Sequence, residues 1–215
     1  PDFDPGGKDW IHDGLVVPAG LPDGSHLTAS FPVMATRGCP YSCSYCCNSL
    51  YRELYGSRGY VRTRSVRHVL SEIAAYVSRH PDTISVEFHD DVFGIRREWL
   101  REFAAAYPQE VGKPFFCYTY PMVCDDEYLS LLKASGVGIV CMGIQTGSQR
   151  TLREVFGRPG ARQRVVDAAE RISRAGLRLV IDLIGYNPFE SDQDNRDTLD
   201  LLLDLPRGYV LQEVN

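Results

Sequence analysis

From Phe31 onward the chain alternates between short apolar runs and longer stretches in which apolar residues recur every three or four positions. The runs are Phe31 to Thr36, Ile84 to His89, Phe115 to Tyr120, Gly138 to Ile144, Leu177 to Ile184, and a last one beginning near Tyr209. Each has the length and apolar density of a strand in a parallel sheet. Between the first two, Val66, Val69, Leu70, Ile73, Ala74 and Val77 fall on one face of a helix. Pro81 stops that helix, and Gly136 and Gly176 follow two others as C-cap residues just before a strand.

Strict alternation of strand and helix predicts a parallel sheet with right-handed crossovers. Strand starts near residues 31, 84, 114, 138, 177 and 209 give five βα units and the start of a sixth. A closed eight-unit barrel at this pace needs roughly 80 residues more. The expected fold is α/β, a partial (β/α)6 TIM-like barrel of parallel strands, truncated before closure. With both sheet edges unpaired, the 215 residues are expected to behave as a fragment, marginally stable or self-associating and incomplete toward a natural substrate. Ahead of the first strand, residues 1–30 hold four prolines and five glycines and no apolar period, so they read as an extended linker leading into a core domain at 31–215.

Composition narrows the class. The chain is 44% hydrophobic and 24% charged, which is globular and excludes a disordered protein. No apolar run approaches the roughly 18 residues of a membrane span, so no membrane is expected and the cytoplasm is the expected location. A net charge of −5 argues against nucleic acid as a partner. Seven cysteines are too few, and odd in number, for a disulfide framework.

The interval between the first two strands is the longest, because a loop of about 27 residues (38–64) precedes the helix. In parallel α/β folds such a loop lies at the C-terminal ends of the strands, where active sites form. It opens Arg37-Gly38-Cys39-Pro40-Tyr41-Ser42-Cys43-Ser44-Tyr45-Cys46-Cys47-Asn48. Cys39, Cys43 and Cys46 form C-x3-C-x2-C, three soft anionic ligands that suit three irons of a [4Fe–4S] cube and leave the fourth open. A zinc knuckle would need a fourth ligand and a second spaced pair, and neither is present in the pattern. Buried structural thiols belong on strands rather than in a Pro/Ser/Tyr loop.

With Tyr45 as the aromatic before its last cysteine, this motif resembles the signature of the radical S-adenosylmethionine (SAM) enzymes. Arg37 to Cys43 resembles the RGCPxxC of the cobalamin-associated and methylthiotransferase-like branches. Glu87 to Phe93 is similar to their FxDDxF, Gly143 to Ser148 to their GIESGS, and Asp182 to Glu190 to their D-x-I-x-G-x-P-x-E. The resemblance implies that Cys39, Cys43 and Cys46 ligate the cluster and that SAM chelates the open iron. It further implies reductive cleavage of SAM to a 5′-deoxyadenosyl radical that abstracts hydrogen from a substrate. Tyr45 is then expected near the adenine or the cluster. Asp90 and Asp91 are expected to hold the methionyl ammonium and the loop, Gln145 to reach the ribose or methionyl end, and Arg158 to lie near the cofactor. Gln145 departs from the carboxylate of many relatives and so loses one charge-assisted hydrogen bond.

The branch implies cobalamin, bound by a domain outside this chain, and an external electron donor of flavodoxin or ferredoxin type. Methyl transfer or a cobalamin-assisted rearrangement is the first reading of the reaction, and methylthiolation of RNA or protein the second. From another class, an iron–sulfur electron-transfer module would need four cysteines and no SAM site. Cys47 is read as a non-ligand, and Cys117 and Cys141 as core residues that with Cys124 are too far apart for a second cluster. Arg58, Arg62, Arg64 and Arg67 are read as a solvated face, and His89 and Asp182 as strand-end residues that line the pocket or make structural hydrogen bonds.

Overall fold

The computed structural model describes residues 9–12, 15–18 and 29–214. In chain order the elements are β1 (Asp9–His12), β2 (Leu15–Pro18), β3 (Ser30–Val33), β4 (Thr36–Arg37), α1 (Cys47–Tyr55), β5 (Arg62–Thr63), α2 (Val66–Arg79), β6 (Ser85–Phe88), α3 (Arg97–Glu110), β7 (Phe115–Thr119), α4 (Asp126–Ala134), β8 (Val137–Gln145), α5 (Arg162–Arg174), β9 (Arg178–Ile184), α6 (Asp192–Asp204) and β10 (Val210–Val214). Six strands form one parallel sheet in the order β10-β9-β8-β7-β6-β3, each beside its neighbour in sequence. The helices α2 to α6 supply the crossovers, and β3 and β10 are the two edges. This is the partial barrel that the alternation predicts. The chain turns into β8 at Gly136 and into β9 through Gly176, with φ of 85° and 71°.

The period of two along each strand divides the sheet into two faces. Phe31, Val86, Phe88, Cys117, Met142 and Ile181 point one way and are buried against the helices. Phe88 anchors an aromatic cluster there, with ring centroids 4.5 Å from Phe93 and 5.5 Å from Phe103, while Trp99 stacks on Phe103 at 5.1 Å. Glu87, Phe116, Ile139, Val180 and Asp182 occupy the alternate positions and are only half-buried. That second face looks toward what would be the inside of the barrel.

Two differences from the sequence reading have local causes. Within residues 1–30, β1 and β2 pair antiparallel, from Asp9 opposite Pro18 to His12 opposite Leu15, so that part of the expected linker is a hairpin. The strand formers Trp10, Ile11, Val16 and Val17 flank an Asp13-Gly14 dipeptide, a hairpin signal that the surrounding prolines and glycines obscured. Ser30, the last residue of the expected linker, already belongs to β3, and residues 1–8, 13–14 and 19–28 lie outside the described residues. Second, the apolar run from Phe31 to Thr36 is not one strand. It leaves the sheet after Val33, and Thr36 and Arg37 pair antiparallel with Thr63 and Arg62. This small ribbon closes the base of the long loop, inside which α1 forms directly after the third cysteine of the motif.

Candidate functional site

The long loop sits where β3 and β4 end, at the C-terminal rim of the sheet. All seven cysteines are free; Cys43 is buried, and Cys39 and Cys46 are half-buried. The loop is folded on itself by Cys46 N–H donating to the Cys43 carbonyl at 3.1 Å and by Arg52 donating to the Pro40 carbonyl at 2.6 Å. Its middle is fastened to a distant segment. Ser44 donates through its backbone N–H to the Phe156 carbonyl at 2.9 Å and through its hydroxyl to the Val155 carbonyl at 2.5 Å. Tyr45 meets the Phe156 ring edge-on at 4.8 Å.

Arg158 completes this attachment. One guanidinium nitrogen donates to the Tyr45 hydroxyl at 2.7 Å and another to the Gly143 carbonyl at 2.5 Å. The guanidinium stacks 4.4 Å over the Tyr120 ring, and Tyr120 in turn packs against Tyr41 at 4.4 Å. One cation thus ties Tyr45 directly, and Tyr41 through Tyr120, to the end of β8. At that end Gln145 has a φ of 71°, and the register between β8 and β9 shifts between Gly143 and Gln145. Its side chain folds back over Gly143, where a β-carbon would lie 2.7 Å from Gln145 Nε2. Tyr45, Arg158 and Gln145, read singly from the sequence, therefore stand together.

The two adjacent carboxylates diverge. Asp90 is fully buried, and its oxygens accept from the backbone N–H of Ala35 at 2.9 Å and of Thr36 at 2.5 Å. Burial nevertheless raises its carboxyl to about 6. Asp90 thus holds the backbone that leads into the loop and presents no exposed atom to a cofactor. Asp91 faces the loop instead and accepts from Asn48 Nδ2 at 2.8 Å, while Tyr60 donates to Asn48 Oδ1 at 2.6 Å. The same Asn48 nitrogen is 3.5 Å from Cys46 Sγ. Asp182, in register with Gly143 on the half-buried face, has an oxygen closed to solvent and without a partner among the described residues, and burial raises its carboxyl.

The donor set fits an iron–sulfur cluster. Burial, with Asp91, Cys43 and Cys46 close by, pushes the Cys39 thiol up to about 11. Thiolates held this near to one another and to a carboxylate are stabilised by a cationic metal centre in their midst. Among the described residues no three His, Cys, Asp or Glu side chains converge on a single ion. Ligands of a cube each take a different iron, so they need not converge in that way.

The remaining residues take quieter places. Cys117, Cys124 and Cys141 are buried, and Cys47 is exposed. In the basic stretch, Arg64 pairs with Glu72 and donates to the Met34 carbonyl at 3.0 Å, whereas Arg58, Arg62 and Arg67 are exposed. Sequence reasoning missed Val155, Phe156, Tyr120 and Asn48, whose contacts with the loop depend on the fold.

An open parallel sheet of βα units with a three-thiol loop at its C-terminal rim defines a class of cluster-bearing α/β domains, and comparison with known proteins identifies the family. The profile of the radical SAM superfamily matches residues 33–202, and the chain belongs to that superfamily. It is thereby a domain of an enzyme family whose cofactors are a [4Fe–4S] cluster and SAM and whose members need an external electron donor. It is 25% identical to the uncharacterized methyltransferase PH0819 of Pyrococcus horikoshii over 83% of this chain and 38% of that protein. It is 32% identical to the cytidylyl-2-hydroxyethylphosphonate methyltransferase of Streptomyces wedmorensis over 58% of this chain and 22% of that protein. The radical SAM methyltransferase TsrM of Kitasatospora setae, solved with cobalamin and a [4Fe–4S] cluster, superposes with a TM-score of 0.68 at 18% identity, over 85% of this chain and 36% of that one. The chain thus spans less than half the length of these proteins. No described helix is long and apolar enough to cross a membrane.

Proposed function

We propose that this chain is the cluster- and SAM-binding core of a radical SAM methyltransferase that works with cobalamin held outside these residues. The observation that carries the reading is the attachment of the cysteine loop to the end of β8 through Ser44, Tyr45 and Arg158. It brings the loop that carries the three thiols against the end of β8, which supports that end of the strand as the place for a ligand of the fourth iron. Cys39, Cys43 and Cys46 are the cluster ligands. Bound there, cluster and SAM together supply reductive cleavage of the sulfonium C–S bond and the hydrogen-abstracting power that follows from it.

The chain's own residues bind and orient. Asp90 fixes the loop entrance by clamping two backbone amides, so the position of Cys39 is set before any ligand arrives. Asn48 carries the effect of Asp91 to Cys46 and restrains that thiol. Gln145, at the bulged end of β8, offers an amide to the polar end of SAM, with Asp182 beside it in register with Gly143. Arg158 holds Tyr45 to the end of β8, with Tyr120 and Tyr41 packed alongside. Methyl transfer is preferred because two of the three curated relatives are named methyltransferases, the third being named a putative methylthiotransferase, and cobalamin because TsrM was solved with it. A flavodoxin- or ferredoxin-like donor in the cytoplasm suits seven free thiols, which a reducing compartment preserves.

Binding is tested by electron paramagnetic resonance of the anaerobically reconstituted, reduced chain. Addition of SAM should shift the spectrum of the reduced cluster. A spectrum indifferent to SAM would mean that the cluster has no open iron and would overturn the assignment.

A further inference from the structure

The half-buried face of the sheet carries polar side chains whose hydrogen-bonding capacity is only partly used among the described residues. Glu87 and Tyr118 lie on this face, since Glu87 is in register with Phe116 and Tyr118 with Cys141. His89, two residues after Glu87, shares it, with Nε2 3.3 Å from Glu87 Oε2 and its ring centroid 6.2 Å from that of Tyr118. Glu87 and His89 have side chains 39% and 45% exposed, at the same rim as the cysteine loop. The Tyr118 hydroxyl makes no hydrogen bond among the described residues. Burial raises it, and the Cys141, Asp182 and Glu87 groups around it add to that rise. Beneath these groups the face is apolar, with Phe116 edge-on to Tyr118 at 4.8 Å and Ile139 and Val180 half-buried.

The strands themselves give this face a negative balance of charge, and the nearby Arg158 guanidinium is already engaged by the Gly143 carbonyl and the Tyr45 hydroxyl. Among the described residues of β6 to β9, the one arginine is Arg178, which begins β9 four residues before Asp182, at the end of the sheet away from the loop. A partly exposed carboxylate, a free phenol on the same face and an apolar floor form a complementary surface for a cation on a hydrophobic frame.

We propose that this face receives a substrate bearing a protonated nitrogen on an apolar or aromatic framework, with Glu87 as its counter-charge, Tyr118 as a hydrogen-bond partner and His89 orienting Glu87. The proposal rests on the functional reading above only for the reaction performed, because the charge preference is a property of the face itself.

The probes are phenethylamine, the neutral 2-phenylethanol and the anionic 3-phenylpropionate, which share one ring and differ in charge. Their affinities for the full chain would be measured by ligand-observed NMR, once free of cluster and once reconstituted with SAM. Phenethylamine should bind about tenfold tighter than 2-phenylethanol, and 3-phenylpropionate most weakly. Glu87→Gln should bring the amine to the level of the alcohol, and Tyr118→Phe should weaken the amine without reversing the order. Melting curves identify any variant that has not folded; if Glu87→Gln fails to fold, the wild-type order and Tyr118→Phe decide. Equal binding of amine and alcohol, or an amine preference that survives Glu87→Gln, would overturn the proposal. Failure of cluster assembly or of SAM binding would instead count against the cofactor assignment, and the measurement without cluster would still read the charge preference.

Discussion

At the scale of single residues, the site divides into ligands that one loop supplies and partners that the fold brings to them. Replacing Cys39, Cys43 or Cys46 by Ala should abolish the charge-transfer absorbance of the reconstituted cluster, whereas Cys47→Ala should leave it. Gln145→Ala should weaken SAM by about 1–2 kcal/mol in calorimetry with cluster content unchanged, the usual cost of one buried polar hydrogen bond. The ligand set was legible because three thiols within eight residues have few other uses. The divergence of Asp90 and Asp91 was not, since neighbouring residues after a strand point apart and only the surroundings decide which carboxylate meets the Ala35 and Thr36 amides. Tyr45 was legible as an aromatic of the motif, but its tie to Arg158, more than a hundred positions away, required the folded sheet.

Among elements, the parallel strands and the crossover helices were readable from period alone, because burial on one or both faces imposes it on the side chains. The hairpin of β1 and β2 was hidden by the prolines and glycines around it, and the break after Val33 by an apolar run that continues past the point where Asp90 takes the backbone. That clamp gives a pH signature. A carboxyl raised to about 6 in the folded chain binds its proton more tightly than in the unfolded chain, so its contribution falls as pH rises from about 4 to about 6. The fall should amount to 2–3 kcal/mol in order of magnitude and flatten in Asp90→Asn, as read by thermal melting across that range. At the start of α6 the sign is opposite. Hydrogen bonds from Arg150, Ser148 and Ser191 hold the Asp194 carboxyl well below the usual carboxylate range. Its contribution is full above about pH 4 and is lost as pH falls further, so Asp194→Asn should melt with less acid sensitivity than the wild type.

For the whole molecule, the open sheet sets the behaviour. At one edge Val210 and Leu211 of β10 are 59% and 50% exposed, and on nearby α6 Leu199 and Leu203 are 60% and 82% exposed. An edge strand with apolar neighbours invites pairing with a second copy. Sedimentation of the 215-residue chain should therefore show concentration-dependent self-association, which Val210→Lys and Leu203→Lys together should reduce; a strictly monomeric chain would contradict this.

The account turns on whether the three-thiol loop and the end of β8 together open the C–S bond of SAM. The measurement is 5′-deoxyadenosine, quantified by chromatography after the anaerobically reconstituted chain is reduced in the presence of SAM. 5′-Deoxyadenosine and methionine should appear in equal amounts, formed by the wild type and not by Cys43→Ala. A fully reconstituted, reducible cluster that leaves SAM intact would mark the chain as an electron carrier and contradict it.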